Sequence, residues 1–389
     1  MNTIGKSTRL LSKNKIEIFE ETVPDVREDG MLIEIGLAGI CGTDIHIIEN
    51  ADRKPMEDWL PLTLGHEVTG RVAKMGKNAN DFMMCDEKIK EGDKIVLYVF
   101  LPCGKCWWER TLGTSHNLIC DNPRGGYCGG PDKPPYFVGG WGEYMYIQPG
   151  SHLWKVPEEM PFELSVLTEP FSMGVRAVEK AMCLPPWKNL QMMSFGGLVA
   201  VLGSGAIGIS TAIAAKIAGC GRVVLIGGPK KTLEIAKEMG AADEVLDIDD
   251  YSPQERIDKV IAMSDYRAGA DVVFEAAGVP QAFIEGIEMT RKEGTFVELG
   301  CLIGDGTTVP LNVASHIVAK DITLYGVTNQ PPQDFTKAMK CFEHFSDRFD
   351  FAAMVTHTFA LEEFEKAIEL SKDPLRKGIK IALKGKAYR

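Results

Sequence analysis

Cys41, His66 and Glu67 place a thiol, an imidazole and a carboxylate within one short stretch, "CGTDIHIIENADRKPMEDWLPLTLGHEVTG". These are ligand types of a catalytic zinc, which takes three protein groups and leaves one position open for water or substrate. Singly, each has a bland reading: Cys41 as a buried core thiol, His66 as a satisfied turn histidine, Glu67 as a surface charge. Their joint appearance, with His66 25 residues after Cys41 and short apolar runs on either side, points to a metal site. The leading stretch "MNTIGKSTRLLSKNKIEIFEE" has no apolar core of the kind a secretory signal needs. The ten cysteines are therefore expected to be reduced thiols or metal ligands, not a disulfide framework.

A second chemical feature is the turn in "VAVLGSGAIGI", where Gly203, Gly205 and Gly208 stand in G-x-G-x-x-G register with Ala206 and Ile207 between the last two. The first glycine allows a tight turn, the second lets backbone approach a pyrophosphate, and the third lets helix and strand pack closely. The buried strand before it and the small-residue helix after it supply the context of a dinucleotide site. About 20 residues on, where an NAD site usually carries a carboxylate for the ribose 2′-OH, the sequence reads "VVLIGGPKK". Gly227 occupies that position, and Lys230 and Lys231 follow. Nothing there repels a 2′-phosphate, so the expected cofactor is NAD(P) with a tilt towards NADP. The alternative, that both lysines merely begin a solvated helix, stays open.

The elements that must hold these groups fall into two textures. From Lys15 to Tyr146 the chain shows short strands with glycine punctuation, "KIEIFEE", "GMLIEIGLAGI", "EVTGRVAKMG", "GDKIVLYVF" and "GGWGEYMYI", which read as a barrel-like or sandwich domain. After the helical spacing of Phe171, Val175 and Val178, strands and helices alternate through "ITLYGV", as in a doubly wound parallel sheet. Two helical patterns and the strand "KGIKIALKG" beyond Asn329 are expected to return to the first domain. The expected division is 1–168 completed by 330–389, and 169–329 for the dinucleotide-binding domain.

A net charge of −11 and a pI near 5.3 give no footprint for nucleic acid. No run of about 18 apolar residues offers a membrane span. A cytoplasmic protein acting on a small molecule is the expectation.

Together "CGTDIH", "GHEVTG", the glycine turn and "LTEPFSMGVRAV" resemble the zinc-dependent medium-chain dehydrogenase/reductase superfamily over nearly the whole chain. The resemblance implies an α/β architecture, a GroES-like β-rich catalytic domain plus a Rossmann domain. It also implies that Cys41 and His66 bind the catalytic zinc, with Glu67 as an exchangeable ligand. The third protein position holds Glu169, as in the polyol-dehydrogenase-like branch, where alcohol dehydrogenases have cysteine. Thr43 would hydrogen-bond the substrate oxygen, His46 would pass the proton outward, and Asp44 would orient His66.

Many relatives carry a structural zinc on four cysteines in the region of "PCGKCWWERTLGTSHNLIC". Here Glu109 replaces the third cysteine and the fourth comes three residues late, at Cys120. Cys103, Cys106, Glu109 and Cys120 can close a tetrahedron, with Cys128 as a substitute. A metal-free lobe with free thiols is the alternative.

The implied activity is hydride transfer between NAD(P) and a small secondary alcohol, polyol-like compound or its carbonyl product, by a homodimer or homotetramer. Rival readings are a zinc-free quinone or enone reductase on the same fold and a non-catalytic binding protein retaining it. Arg53, Lys54 and Trp59, in the loop after His46, either meet an anionic group or face water.

Overall fold

The computed structural model describes residues 3–388 except 55, 86, 99, 102, 113–119, 122–129, 133–134, 184–195, 301–307 and 374–377. The chain begins with a hairpin of β1 (Ile4–Ser12) and β2 (Lys15–Thr22), which turns at Asn14 with φ 55°. Asparagine tolerates this left-handed conformation. Then follow β3 (Met31–Ile40), α1 (Gly42–Asn50), β4 (Glu67–Met75), α2 (Ala79–Phe82), β5 (Lys94–Tyr98) and α3 (Trp107–Leu112). After them come β6 (Tyr144–Ile147), β7 (His152–Lys155), α4 (Phe162–Ser165) and α5 (Thr168–Met182). β1 and β7 were not anticipated from the sequence pattern; both are short on strict alternation.

The second half runs β8 (Leu198–Leu202), α6 (Ala206–Ile217), β9 (Arg222–Gly227), α7 (Lys230–Glu238), β10 (Glu244–Asp247), α8 (Pro253–Met263), β11 (Ala270–Glu275), α9 (Pro280–Met289), β12 (Thr290–Glu298) and β13 (Thr323–Gly326). It ends with α10 (Gln333–Phe345), β14 (Val355–Ala360), α11 (Phe364–Lys372) and β15 (Lys380–Lys384). β8 to β13 form one parallel sheet in the order β10-β9-β8-β11-β12-β13. Every residue of β8 and β11 is buried, as continuous apolar strands must be when helices cover both faces.

The other sheet is mostly antiparallel, ordered β14-β15-β3-β4-β5-β7, with β6 also on β3. Its C-terminal members complete it from the far end of the chain: Ile381 pairs with Ile40 and Leu383 with Ala38. Of the segment beyond Asn329, β14, β15 and α11 join this sheet and its core. α10 instead packs on α5 in the core shared with the parallel sheet, where Phe335, Ala338 and Phe342 are buried. α5 also crosses α6 so closely that a Cβ on Gly174 would lie 2.6 Å from the Ser210 backbone.

Phe171 on α5 anchors this junction. It is wholly buried, with ring centroids 5.1 Å from Phe342 and 5.2 Å from Phe351. Phe171→Ala should lose about 3–5 kcal/mol of unfolding free energy through lost burial and the cavity left behind, read from guanidinium denaturation; a loss below about 1 kcal/mol would mean that the junction closes over the gap.

Candidate metal centre and cofactor cleft

β3 ends at Ile40, and Cys41 follows as the N-cap of α1. The helix starts here because Asp44 reaches back and accepts the Cys41 N–H at 2.9 Å. The same carboxylate, 0% exposed, accepts the Gly65 N–H at 3.3 Å and faces His66 Nδ1 at 3.6 Å. One side chain therefore ties the Cys41 loop to the His66 loop. With Nδ1 turned to Asp44, Nε2 is the imidazole edge left for a ligand. Gly65 has φ +92°, and a Cβ there would stand 2.4 Å from the Trp141 ring, so the turn delivering His66 requires glycine.

Glu67 opens β4 and is 0% exposed. Its neighbour across the ladder is Gly39, where a Cβ would fall 1.8 Å from Glu67 Oε2. The missing side chain at Gly39 is what admits the carboxylate. Lys380 on β15 donates to Glu67 Oε1 at 2.5 Å and to the Ile40 carbonyl at 3.2 Å. Glu67 Oε2 is buried with no hydrogen-bond partner. Cys41, His66 and Glu67 bring their ligand atoms within 4.8 Å of one another.

Glu169 lies in the first turn of α5, 8% exposed, and is not one of that tight group. Its Oε1 accepts the Gln330 Nε2–H at 2.8 Å. Burial, reinforced by Glu67, pushes the Glu169 carboxyl up; His66, Gln330 and Lys380 act the other way, so this side chain belongs to the same electrostatic neighbourhood. Burial pulls His66 down, yet Cys41 and Asp44 outweigh it and hold the imidazole well above the ordinary histidine range. Lys380 likewise stays charged: burial opposes the charge, but Glu67, Cys41 and Glu169 raise its pKa. A buried region this rich in anionic donors suits a bound cation.

Thr43 Oγ1 lies 3.6 Å from Cys41 Sγ, at the cluster, whereas His46 is exposed on α1. Arg53 and Lys54 are exposed, and Lys54 pairs with Asp58. Lys380, Gln330 and Gly39 escaped the sequence reading. A lysine inside the apolar strand "IKIALK" was the one available signal for Lys380.

In the lobe beyond β5, Cys103, Cys106, Glu109 and Cys120 also converge, with ligand atoms within 4.8 Å of one another. Glu109 enters from α3, its Oε1 buried without a partner. The Lys105 N–H draws the Cys103 thiol downward in pKa against burial, with Cys120 and Cys106 helping. Cys128 lies outside the described residues.

At the parallel sheet, Gly203 has φ +109° and Gly208 would drive a Cβ to 1.8 Å from the Gly203 carbonyl oxygen, so both need glycine. A Cβ on Gly205, by contrast, would meet nothing within 4 Å. Open space there, in front of the α6 N-terminus with Ala206 and Ile207 in its first turn, suits a pyrophosphate. At the end of β9, a Cβ on Gly227 would meet Ser204 Oγ at 2.6 Å. Ser204 fills that space, bonding Gly228 and Thr232. Lys230 and Lys231 are exposed at the start of α7, and the Lys231 charge acts together with burial to lower the His357 pKa.

Two family models match the chain: the alcohol dehydrogenase GroES-like domain over residues 27–158 and the zinc-binding dehydrogenase over residues 206–344. An L-threonine 3-dehydrogenase of Bacillus subtilis is 29% identical over 369 residues, 94% of this chain and 95% of that one. A sorbitol dehydrogenase of the same organism is 26% identical, covering 94% and 92%. The crystal structure of an alcohol dehydrogenase from Thermotoga maritima superposes with a TM-score of 0.85 at 25% identity, covering 98% of this chain and 100% of that one. Among the described residues no helix is long and apolar enough to cross a membrane.

The Glu67–Lys380 pair generates a stability prediction. Both side chains are buried, 1% and 5% exposed, so Lys380→Met leaves an uncompensated carboxylate. Metal-stripped Lys380→Met protein should unfold about 3–5 kcal/mol more easily than metal-stripped wild type in urea. A change within about 0.5 kcal/mol would show that the pair contributes little.

Proposed function

The chain belongs to the zinc-dependent medium-chain dehydrogenase/reductase superfamily, NAD(P)-linked oxidoreductases of alcohols and polyols, and from that premise we propose that it oxidises a small secondary alcohol bearing a neighbouring polar group, a polyol or an amino alcohol, or reduces the matching ketone. The relatives named for L-threonine and sorbitol support that substrate class. The observation that carries the reading is the convergence of Cys41, His66 and Glu67 around a buried, unpartnered carboxylate oxygen. Cys41, His66 and Glu169 hold the catalytic zinc, with Glu67 as the exchangeable ligand. Bound there, zinc supplies the Lewis acidity that lowers the alcohol pKa and favours hydride release to the nicotinamide.

The remaining steps belong to side chains. Thr43, beside Cys41, receives the substrate hydroxyl's hydrogen bond. His46, exposed on α1, hands the proton to solvent. Asp44 fixes the His66 ring, and Gln330 holds one Glu169 oxygen. A zinc-free reductase has no use for this ligand set.

In the lobe, Cys103, Cys106, Glu109 and Cys120 hold a second, structural zinc. Their closeness and the unpartnered Glu109 oxygen support it. The chain divides into 1–168, completed by β14, α11 and β15, and 169–329, with α10 packed on α5. The exposed Val318 and the exposed Leu324 on edge strand β13 support assembly into a dimer or tetramer. None of the eight described cysteines is in a disulfide.

Cys41→Ala removes a soft anionic ligand and should lose catalytic zinc and alcohol oxidation together, measured by metal analysis and turnover. Full zinc content with normal turnover would refute the ligand assignment. For the cofactor, NADP is the proposed preference, carried by the absent carboxylate at Gly227 and by Lys230 and Lys231. An aspartate at position 227 would collide with Ser204, so the informative changes are Lys230→Ala and Lys231→Ala. Wild type should favour NADP in kcat/KM by roughly one to two powers of ten, and the double substitution should erase that margin. An unchanged ratio would leave both lysines as solvated helix residues.

A further inference from the structure

The parallel sheet reverses its strand order between β8 and β11, and ligands of such sheets lie beyond the strand C-termini at that crevice. Gly227 and the lysines lie on the β9 side, where the adenosine ribose belongs. The nicotinamide half is left to the β11–β12 side. Two loops form that rim, Ala276–Gly278 after β11 and Leu299–Gly300 after β12.

Glu275 ends β11 and Glu298 ends β12, and the two are register partners. In-register residues of adjacent strands leave the sheet on the same face. Glu275 is 0% exposed and Glu298 partly buried, and as register partners at the ends of neighbouring strands their carboxyl groups are close enough for Glu298 to act on the Glu275 carboxyl. Glu275 Oε1 also accepts the Ala277 N–H at 2.8 Å and the Gly278 N–H at 3.0 Å. Glu298 Oε1 accepts the Gly300 N–H at 3.0 Å. The loops touch over this pair: a Cβ on Gly300 would stand 2.3 Å from Gly278 N and 2.4 Å from Glu275 Oε2. On its other side, the Ala276–Ala277 backbone lies 2.8 Å from where Gly203 would carry a Cβ. The spacing of the loops is thus passed to the glycine turn.

We propose that Glu275 and Glu298 form a proton-sharing clasp that sets the spacing of the two loops beneath the nicotinamide half of the dinucleotide, and that both are positioning residues for hydride transfer. Two ionised carboxylates have no donor between them, so a neighbouring pair such as this is held together by one shared proton. Burial, and after it Glu298, push Glu275 up to about 8. Against that act the Ala277 and Gly278 N–H groups. At neutral pH Glu275 therefore keeps a proton to share with its neighbour. When the proton leaves to solvent, two adjacent carboxylates repel, and the loops they carry part.

The clasp rests on dinucleotide binding at the glycine turn and is independent of the zinc ligands. Its test is fluorescence titration of the full chain with NADH and NADPH at pH 7 and pH 9, in wild type, Glu298→Gln and Glu298→Ala. With Glu275 titrating at about 8, the wild-type Kd for the tighter nucleotide should rise about tenfold between the two pH values. Glu298→Gln should bind tightly at both, because its amide donates to the Glu275 carboxylate without a shared proton. Glu298→Ala should bind weakly at both. The clasp is overturned if Glu298→Gln follows the wild-type pH dependence, or if Glu298→Ala binds at pH 7 as tightly as wild type. Metal-stripped protein should give the same pattern, so a failed zinc assignment leaves this test standing.

Discussion

The carboxylate of Glu67 is buried where β4 lies between β3 and β5, and it is tolerable there because Lys380 brings a positive charge against it. A buried charge without a partner costs several kcal/mol. The partner sits 313 residues away in the chain, and the pairing of the C-terminal strand with β3 is what brings it there. The pairing of Ile381 with Ile40 puts Lys380 beside the strand end that leads into Cys41. Gly39 takes part by absence, since any side chain at that point would occupy the carboxylate's space.

Around this pair the remaining groups are held by neighbours that leave one face of each available. Asp44 takes one edge of the His66 imidazole and caps the helix that begins at Cys41. Gln330, from the segment after β13, takes one oxygen of Glu169 at the start of α5. These side chains therefore come from three separate parts of the chain, the Cys41 loop, the His66–Glu67 turn and the first turn of α5. The packing of α5 against α6 and α10 is consequently part of the site, because it sets where Glu169 stands.

The parallel sheet contributes its C-terminal rim. Close approach of Gly203, Gly208 and the 276–278 loop leaves open space only in front of Gly205. Ser204 occupies the space by Gly227 from which a carboxylate would otherwise extend, and the acid pair joins the next two loops.

The sequence by itself determined the chemistry types and the local elements. The spacing of Cys41, His66 and Glu67, the glycine turn at 203–208 and the substitution of Glu109 among the cysteines were legible because each lies within a short run whose periodicity or residue type is diagnostic. The alternation of apolar strands and helices between Leu198 and Gly326 was legible for the same reason. Only the tertiary structure decided that Lys380 neutralises Glu67, that Gln330 holds Glu169, that Gly39 makes room, and that Glu275 meets Glu298. It also decided that α10 joins the core of the parallel sheet. Lys380, Gly39 and the glutamate pair depend on strand register, Gln330 and α10 on packing against α5, and side-chain pattern specifies which face a residue takes but not which residue lies opposite it.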